Sequence, residues 1–92
     1  MELVFRVHAI RRMAERDISV PDVRAALESG EVIEKYPEDQ PHPSKLVLGH
    51  VAGRPLHVVA AEDPESGRTV IVTVYEPDAA QWDPAFRRRL DR

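Results

Sequence analysis

The sequence predicts an α+β fold in which two N-terminal helices pack on a four-stranded antiparallel meander and a short helix closes the chain. Three observations predict it. Apolar residues recur at helical spacing up to Gly30, the pattern then changes to β-rich runs of Val, Ile and Leu, and short turn segments separate those runs. The 92 residues make one small domain, 1–92, with room for a single core.

Each element follows from its residues. Val7, Ile10 and Ala14 recur at helical spacing with Met13 on the flank, which predicts a helix over 7–16. Asp17 and Ile18 turn the chain. Pro21 suits the first position of a second helix, and Asp22 puts negative charge where the helix dipole favours it. That helix buries Val23, Ala26 and Leu27 and stops at Gly30, so the two make a short helical hairpin. Val32, Ile33 and Tyr36 lie in a strand closed by Pro37, and the three prolines of 37–44 mark a loop. Strands over 46–51, 55–61 and 69–75 follow, joined by turns at 52–54 and 63–67. Asp83 and Pro84 read as the cap and first turn of a terminal helix carrying Phe86 and Leu90.

Composition narrows the function. Hydrophobic residues at 42% and charged residues at 32% describe a folded, soluble chain rather than a disordered tail. The absence of cysteine excludes disulfide scaffolds, thiolate metal sites and thiol nucleophiles. No basic start leads into a long apolar stretch, and no apolar run nears the roughly 18 residues of a membrane span, so no membrane contact and a cytoplasmic location are expected. A formal charge of −3 excludes a uniformly basic coat. The charges are nonetheless uneven. Arg6, Arg11, Arg12, Arg16 and Arg24 lie early and Arg87, Arg88, Arg89 and Arg92 late, while acids crowd 62–65 and 76–83. The four histidines have no paired metal-ligand spacing, and Gly-rich phosphate loops and nucleophile elbows are absent, so neither a metal nor a cofactor is expected.

Strand alternation gathers the reactive side chains. If residue 61 pairs with 69, His57 lies opposite Thr73, with Tyr75 one same-face step beyond. A two-residue turn at Ala52 and Gly53 adds Leu46, Leu48 and His50 to that face. A one-residue change of register would send each side chain to the other side. On the first helix His8, Arg12 and Arg16 form one stripe, almost opposite Val7, Ile10 and Ala14, and guanidinium forks match phosphate oxygens. The plainer alternatives are a strand histidine satisfied by backbone or water, and a solvated helix face.

Several blocks of the chain resemble a bacterial family known as domain of unknown function 4258. They are His8-Ala9-x-x-Arg12-Met13-x-x-Arg16-x-Ile18, Asp22-Val23-x-x-Ala26-Leu27-x-x-Gly30, Val32-Ile33-Glu34-x-Tyr36, Pro55-Leu56-His57-Val58-Val59, and Thr73-Val74-Tyr75-Glu76-Pro77 with Trp82. The resemblance spans residues 8 to 82. It implies a distant relationship to RelE/ParE-like toxins and to small metal-independent ribonucleases. It also implies a toxin-antitoxin system, with a cognate antitoxin of helix-turn-helix or zinc-finger type as partner and RNA or the ribosome as target.

Chemistry supplies the roles. Metal-free RNA cleavage needs a base for the 2′-hydroxyl, an acid for the leaving 5′-oxygen, and cations for the charge on the phosphorane. On that reading the chain is a metal-independent endoribonuclease. His57 and His8 transfer protons, Arg12 and Arg16 hold the phosphate, Tyr75 hydrogen-bonds or stacks, and Thr73 orients. Lys35 and Lys45 contact the RNA backbone. The alternative is a non-catalytic toxin-like module that binds an antitoxin or a gyrase-type partner through an exposed apolar or mixed surface, or a structural domain.

Overall fold

A computed structural model describes residues 1–91; Arg92, part of the basic tail, lies outside the described residues. The elements run β1 (Leu3–Phe5), α1 (Val7–Arg16), α2 (Val20–Ser29), β2 (Glu31–Tyr36), β3 (Ser44–Val51), β4 (Arg54–Glu62) and β5 (Thr69–Tyr75). One sheet takes the order β1-β5-β4-β3-β2. The α+β class and the two helices are as expected, but the sheet has five strands and is mixed, because β1 pairs parallel to β5. Three residues are too short to show a period of two. Leu3-Val4-Phe5 becomes a strand only because β5 offers it an edge, bracketed by the Thr69 N–H on the Glu2 carbonyl and the Arg6 N–H on the Ile71 carbonyl.

That added strand sets the rotation of α1. One residue, Arg6, separates β1 from the helix, which leaves no slack to turn the helix about its axis. Ala9 and Met13 therefore face the core, while Val7 and Ile10 are 66% and 54% exposed and Ala14 is exposed too. The expected buried face is thus corrected. The stripe of His8, Arg12 and Arg16 runs beside the buried seam, roughly a quarter turn away at 100° per residue, rather than opposite it.

α2 forms as its residues dictate. The Ser19 hydroxyl accepts the Asp22 N–H and the Asp22 carboxylate accepts the Ser19 N–H, a reciprocal capping box with Pro21 in the first turn. These bonds hold the Asp22 carboxyl below its ordinary pKa. Val23 and Ala26 are buried and Leu27 packs beside them. α1 packs on β5 and α2 on β3 and β4, and with Leu56, Val58, Ala60, Ile71 and Val74 they enclose the core. Among the described residues no helix is long and apolar enough to cross a membrane.

β3 and β4 turn through Ala52 and Gly53, both at positive φ (51° and 80°), as a two-residue hairpin requires. Just beyond it Arg54 spends its guanidinium on structure, donating to the Glu76 carboxylate at 2.6 Å and to the Arg16 and Asp17 carbonyls at 2.7 and 3.0 Å. It fastens the C-terminus of α1 to the end of β5. Arg54→Ala is expected to lower stability by about 1–2 kcal/mol in urea unfolding. Arg54→Lys should recover little, since one ammonium cannot fork across three acceptors.

The expected C-terminal helix is absent. Asp83 does cap a turn, accepting the Arg87 N–H at 2.9 Å, but Phe86 takes φ 61° and reverses the chain. The segment 77–91 becomes a folded-back strap, with Trp82 bridged to Arg89. A helix would carry Trp82 and Arg89 away from each other; the bridge holds both over the sheet.

Candidate functional site

The face of the sheet opposite the helices carries the gathered side chains, by a route the simple register does not give. Thr69 pairs with Glu62, one residue off the expected partner, and a β-bulge between Val59 and Ala60 adds a second displacement in the same sense. One displacement alone would turn the β5 residues opposite His57 to the wrong face. Two restore it, so His57 lies directly opposite Tyr75, and Thr73 sits opposite Val59 on the same face. Leu48 pairs with His57 from β3, as the two-residue turn predicts.

His57 is wholly buried. Its Nε2 lies 2.8 Å from the Phe86 carbonyl, which can only accept, so Nε2 carries the proton; Nδ1 then accepts from the Tyr75 hydroxyl at 3.2 Å. The Trp82 indole meets the imidazole edge-on at 4.4 Å between centroids, and Tyr75 does so at 5.3 Å. Burial pushes the His57 pKa below its ordinary value, against the pull of the Phe86 carbonyl, and raises that of Tyr75. The ring is a neutral imidazole with both nitrogens occupied, the plainer of the two arrangements considered for a strand histidine.

A second bulge, between Val32 and Glu34, shifts the β2 pairing so that Glu34 and Tyr36 lie opposite Leu46 and Ser44. The Tyr36 hydroxyl donates to Glu34 at 2.7 Å, and burial with that carboxylate beside it pushes the Tyr36 pKa up to about 12. Arg89 reaches the same carboxylate at 3.4 Å while its guanidinium lies 4.7 Å from the centre of the Trp82 ring. Arg87 pairs with Glu31 at 2.5 Å. Glu34, Tyr36, Trp82, Phe86 and Arg89 were not among the expected site residues. Their signals in the sequence are slight: a period-two Glu34-x-Tyr36, and a lone tryptophan ahead of an arginine run.

The other expected residues lie elsewhere. His8, Arg12 and Arg16 are exposed on α1, in the layer on the far side of the sheet from His57, so the two histidines are not brought together. Lys35 and Lys45 face each other across β2 and β3 and line a cleft of about 360 Å³ with Pro37, Pro43, Ser44, Ala60 and Glu62. That edge of the sheet is the one remote from β5, on which α1 packs. Among the described residues no three His, Asp or Glu side chains converge as a metal site would need.

No curated protein and no solved structure matches the chain. A family model does match, from the last residue of β1 to the residue after β5; Trp82, one of the residues that carried the resemblance, falls beyond it. Over residues 5–76 the chain therefore belongs to the family described as Domain of unknown function (DUF4258).

Proposed function

We propose that this chain is a toxin-type, metal-independent endoribonuclease that takes hold of RNA through the exposed stripe of α1. One observation carries the reading, the division of the arginines into two groups. Arg24, Arg54, Arg68, Arg87 and Arg89 each donate to a carboxylate or carbonyl. Arg88 donates only through its backbone N–H, and Arg6, Arg11, Arg12 and Arg16, in a chain of net charge −3, have no side-chain partner among the described residues. Four unpaired guanidiniums on one short helix and the residue that leads into it suit a polyanion. No side chain caps the N-terminus of α1 and no acid occupies its first turn, which leaves its positive end open to phosphate.

In this reading His8, one turn from Arg12, takes the 2′-hydroxyl proton as the 2′-oxygen attacks phosphorus, and Arg12 and Arg16 stabilise the phosphorane. The bond to the 5′-oxygen breaks to leave a 2′,3′-cyclic phosphate, and the leaving 5′-oxygen takes its proton from water. Lys35 and Lys45 contact the RNA chain farther along. His57, Tyr75 and Thr73 hold the opposite face together. The test is induced expression in a bacterium, following growth and RNA integrity together. His8→Ala is expected to reduce cleavage by about 10²–10³. Arg12→Ala/Arg16→Ala should abolish it and lower the salt dependence of binding to single-stranded RNA, the log–log slope falling by about 1.4 for two lost phosphate contacts. Undiminished cleavage by both folded variants would sink the proposal.

A second reading, a non-catalytic module bound by its antitoxin, draws on the apolar side chains of Val7 and Ile10 on α1 and Val20 on α2, all exposed. Growth arrest with intact RNA, relieved by Ile10→Glu but not by His8→Ala, would select it.

A further inference from the structure

The strap over the sheet has the character of a bound ligand. It is a ribbon closed on itself, the Asp83 N–H donating to the Arg88 carbonyl and the Leu90 N–H to the Gln81 carbonyl, each at 2.9 Å. It offers the sheet an indole, a carbonyl and two guanidiniums. The sheet answers with an imidazole ring and its Nε2–H, and with the carboxylates of Glu31 and Glu34. The complementarity is one for one. The matched family region ends at residue 76, and the strap starts at 77.

What secures the strap is concentrated in one side chain. Trp82 is 3% exposed, with Leu46 and Leu48 buried on the same side of the sheet and outside the helix-side core. The rest is weak. Both ion pairs stand half in solvent, where such pairs contribute little. Phe86, whose carbonyl reaches His57, sits in the left-handed region that non-glycine residues avoid. An anchor of one indole, one buried hydrogen bond made through a strained turn, and two screened ion pairs describes a contact that can be exchanged.

We infer that the sheet face formed by Glu31, Glu34, Tyr36, His57 and Tyr75 is a peptide-binding surface, that residues 77–91 are its intramolecular occupant, and that a partner protein bearing an aromatic residue and nearby arginines displaces them. Charge selects the class of partner. A nucleic acid would bring phosphates against Glu31 and Glu34, whereas an arginine-bearing segment restores each contact the strap gives up. This surface and the α1 stripe lie on opposite sides of the sheet, so the inference stands apart from the RNA reading.

Trp82 is the only tryptophan in the chain and reports the strap directly. The probe is a synthetic peptide of residues 77–91 carrying Trp82→Phe, silent in tryptophan fluorescence. A tethered strap competes at an effective concentration on the order of millimolar, so the full chain is compared with its Arg87→Glu/Arg89→Glu variant, Arg89→Gln serving if the double reversal does not fold. The peptide is expected to shift Trp82 emission to the red, saturably, at roughly tenfold lower concentration in the weakened chain. A peptide with both arginines replaced by glutamate should be inert, and Glu34→Lys in the charge-reversed chain should block the response. Unchanged emission in a folded, weakened chain at saturating peptide would overturn the inference. So would an equal response to a single-stranded RNA oligonucleotide.

Discussion

Trp82→Ala is expected to undock the strap and leave the helix-and-sheet body folded, lowering stability by about 3 kcal/mol. The indole is the strap's main apolar contact and the lid of His57, so its loss uncovers the imidazole and frees the Phe86 carbonyl. Hydrogen exchange separates the two parts. The amides of Asp83, Arg88 and Leu90 should lose protection while those within β3, β4 and β5 keep it. The effect also depends on pH, with a definite sign. In the wild type, burial depresses the His57 pKa below about 6.5, its usual unfolded value, so the unfolded chain binds more protons just below that pH. The neutral-ring contribution is present above about pH 6.5 and is lost as pH falls through the folded pKa. In Trp82→Ala the exposed ring titrates alike in both states. The gap between the two proteins should therefore be widest at neutral pH and narrow toward pH 5, as urea unfolding at several pH values can measure. Asp22, Asp63 and Asp83, held low by backbone and hydroxyl donors, release their contributions only at still lower pH. A gap that is constant from pH 7.5 to 5 would remove the covered imidazole from the account.

Gly49→Val should be the most damaging single change in the sheet. Gly49 lies on β3 beneath α2, and a Cβ there would sit 2.6 Å from both the Ala26 Cα and its carbonyl oxygen and 2.8 Å from its Cβ. These are mostly backbone atoms of a helix, which cannot rotate aside as a long side chain does. α2 has to lift off β3, opening the seam of Val23 and Ala26, at a cost of about 3 kcal/mol or more. Gly49→Ala should be severe as well. Adding Ala26→Gly should not rescue either variant, because the obstruction is main chain. Rescue in a double-mutant cycle would show that the side chain alone sets the close approach. Gly53→Ala, with open space around the added methyl, should cost only about 1 kcal/mol through its positive φ.

Much of this architecture is legible locally. Pro21 and Asp22 announce the start of α2, and the capping box that Asp22 forms with Ser19 closes within four consecutive residues. Ala52 and Gly53 announce a two-residue turn, and that turn alone fixes Leu48 opposite His57. The gathering of His57, Thr73 and Tyr75 on one face follows from alternation. Their actual register does not, since it depends on the bulge at Val59 and Ala60, which nothing in the local pattern marks.

The helix α1 and the C-terminal segment show the same division from the other side. The spacing of Val7, Ile10 and Ala14 marks a helix but selects the wrong seam, because its rotation is imposed by β1, which exists only through pairing with a strand more than sixty residues later. Asp83 and Pro84 signal a helix start, and the chain does turn there, but Trp82 anchored on His57 keeps the segment folded back. What one element settles within its own few residues can be read along the chain: α1 and α2 as helices, the start of α2, the β3–β4 turn and the alternation of faces. Which face of α1 is buried, which β5 residue lies opposite His57, and what covers it are set by the folded chain. Each of those depends on contacts between distant segments, where a shift of one residue exchanges core for surface.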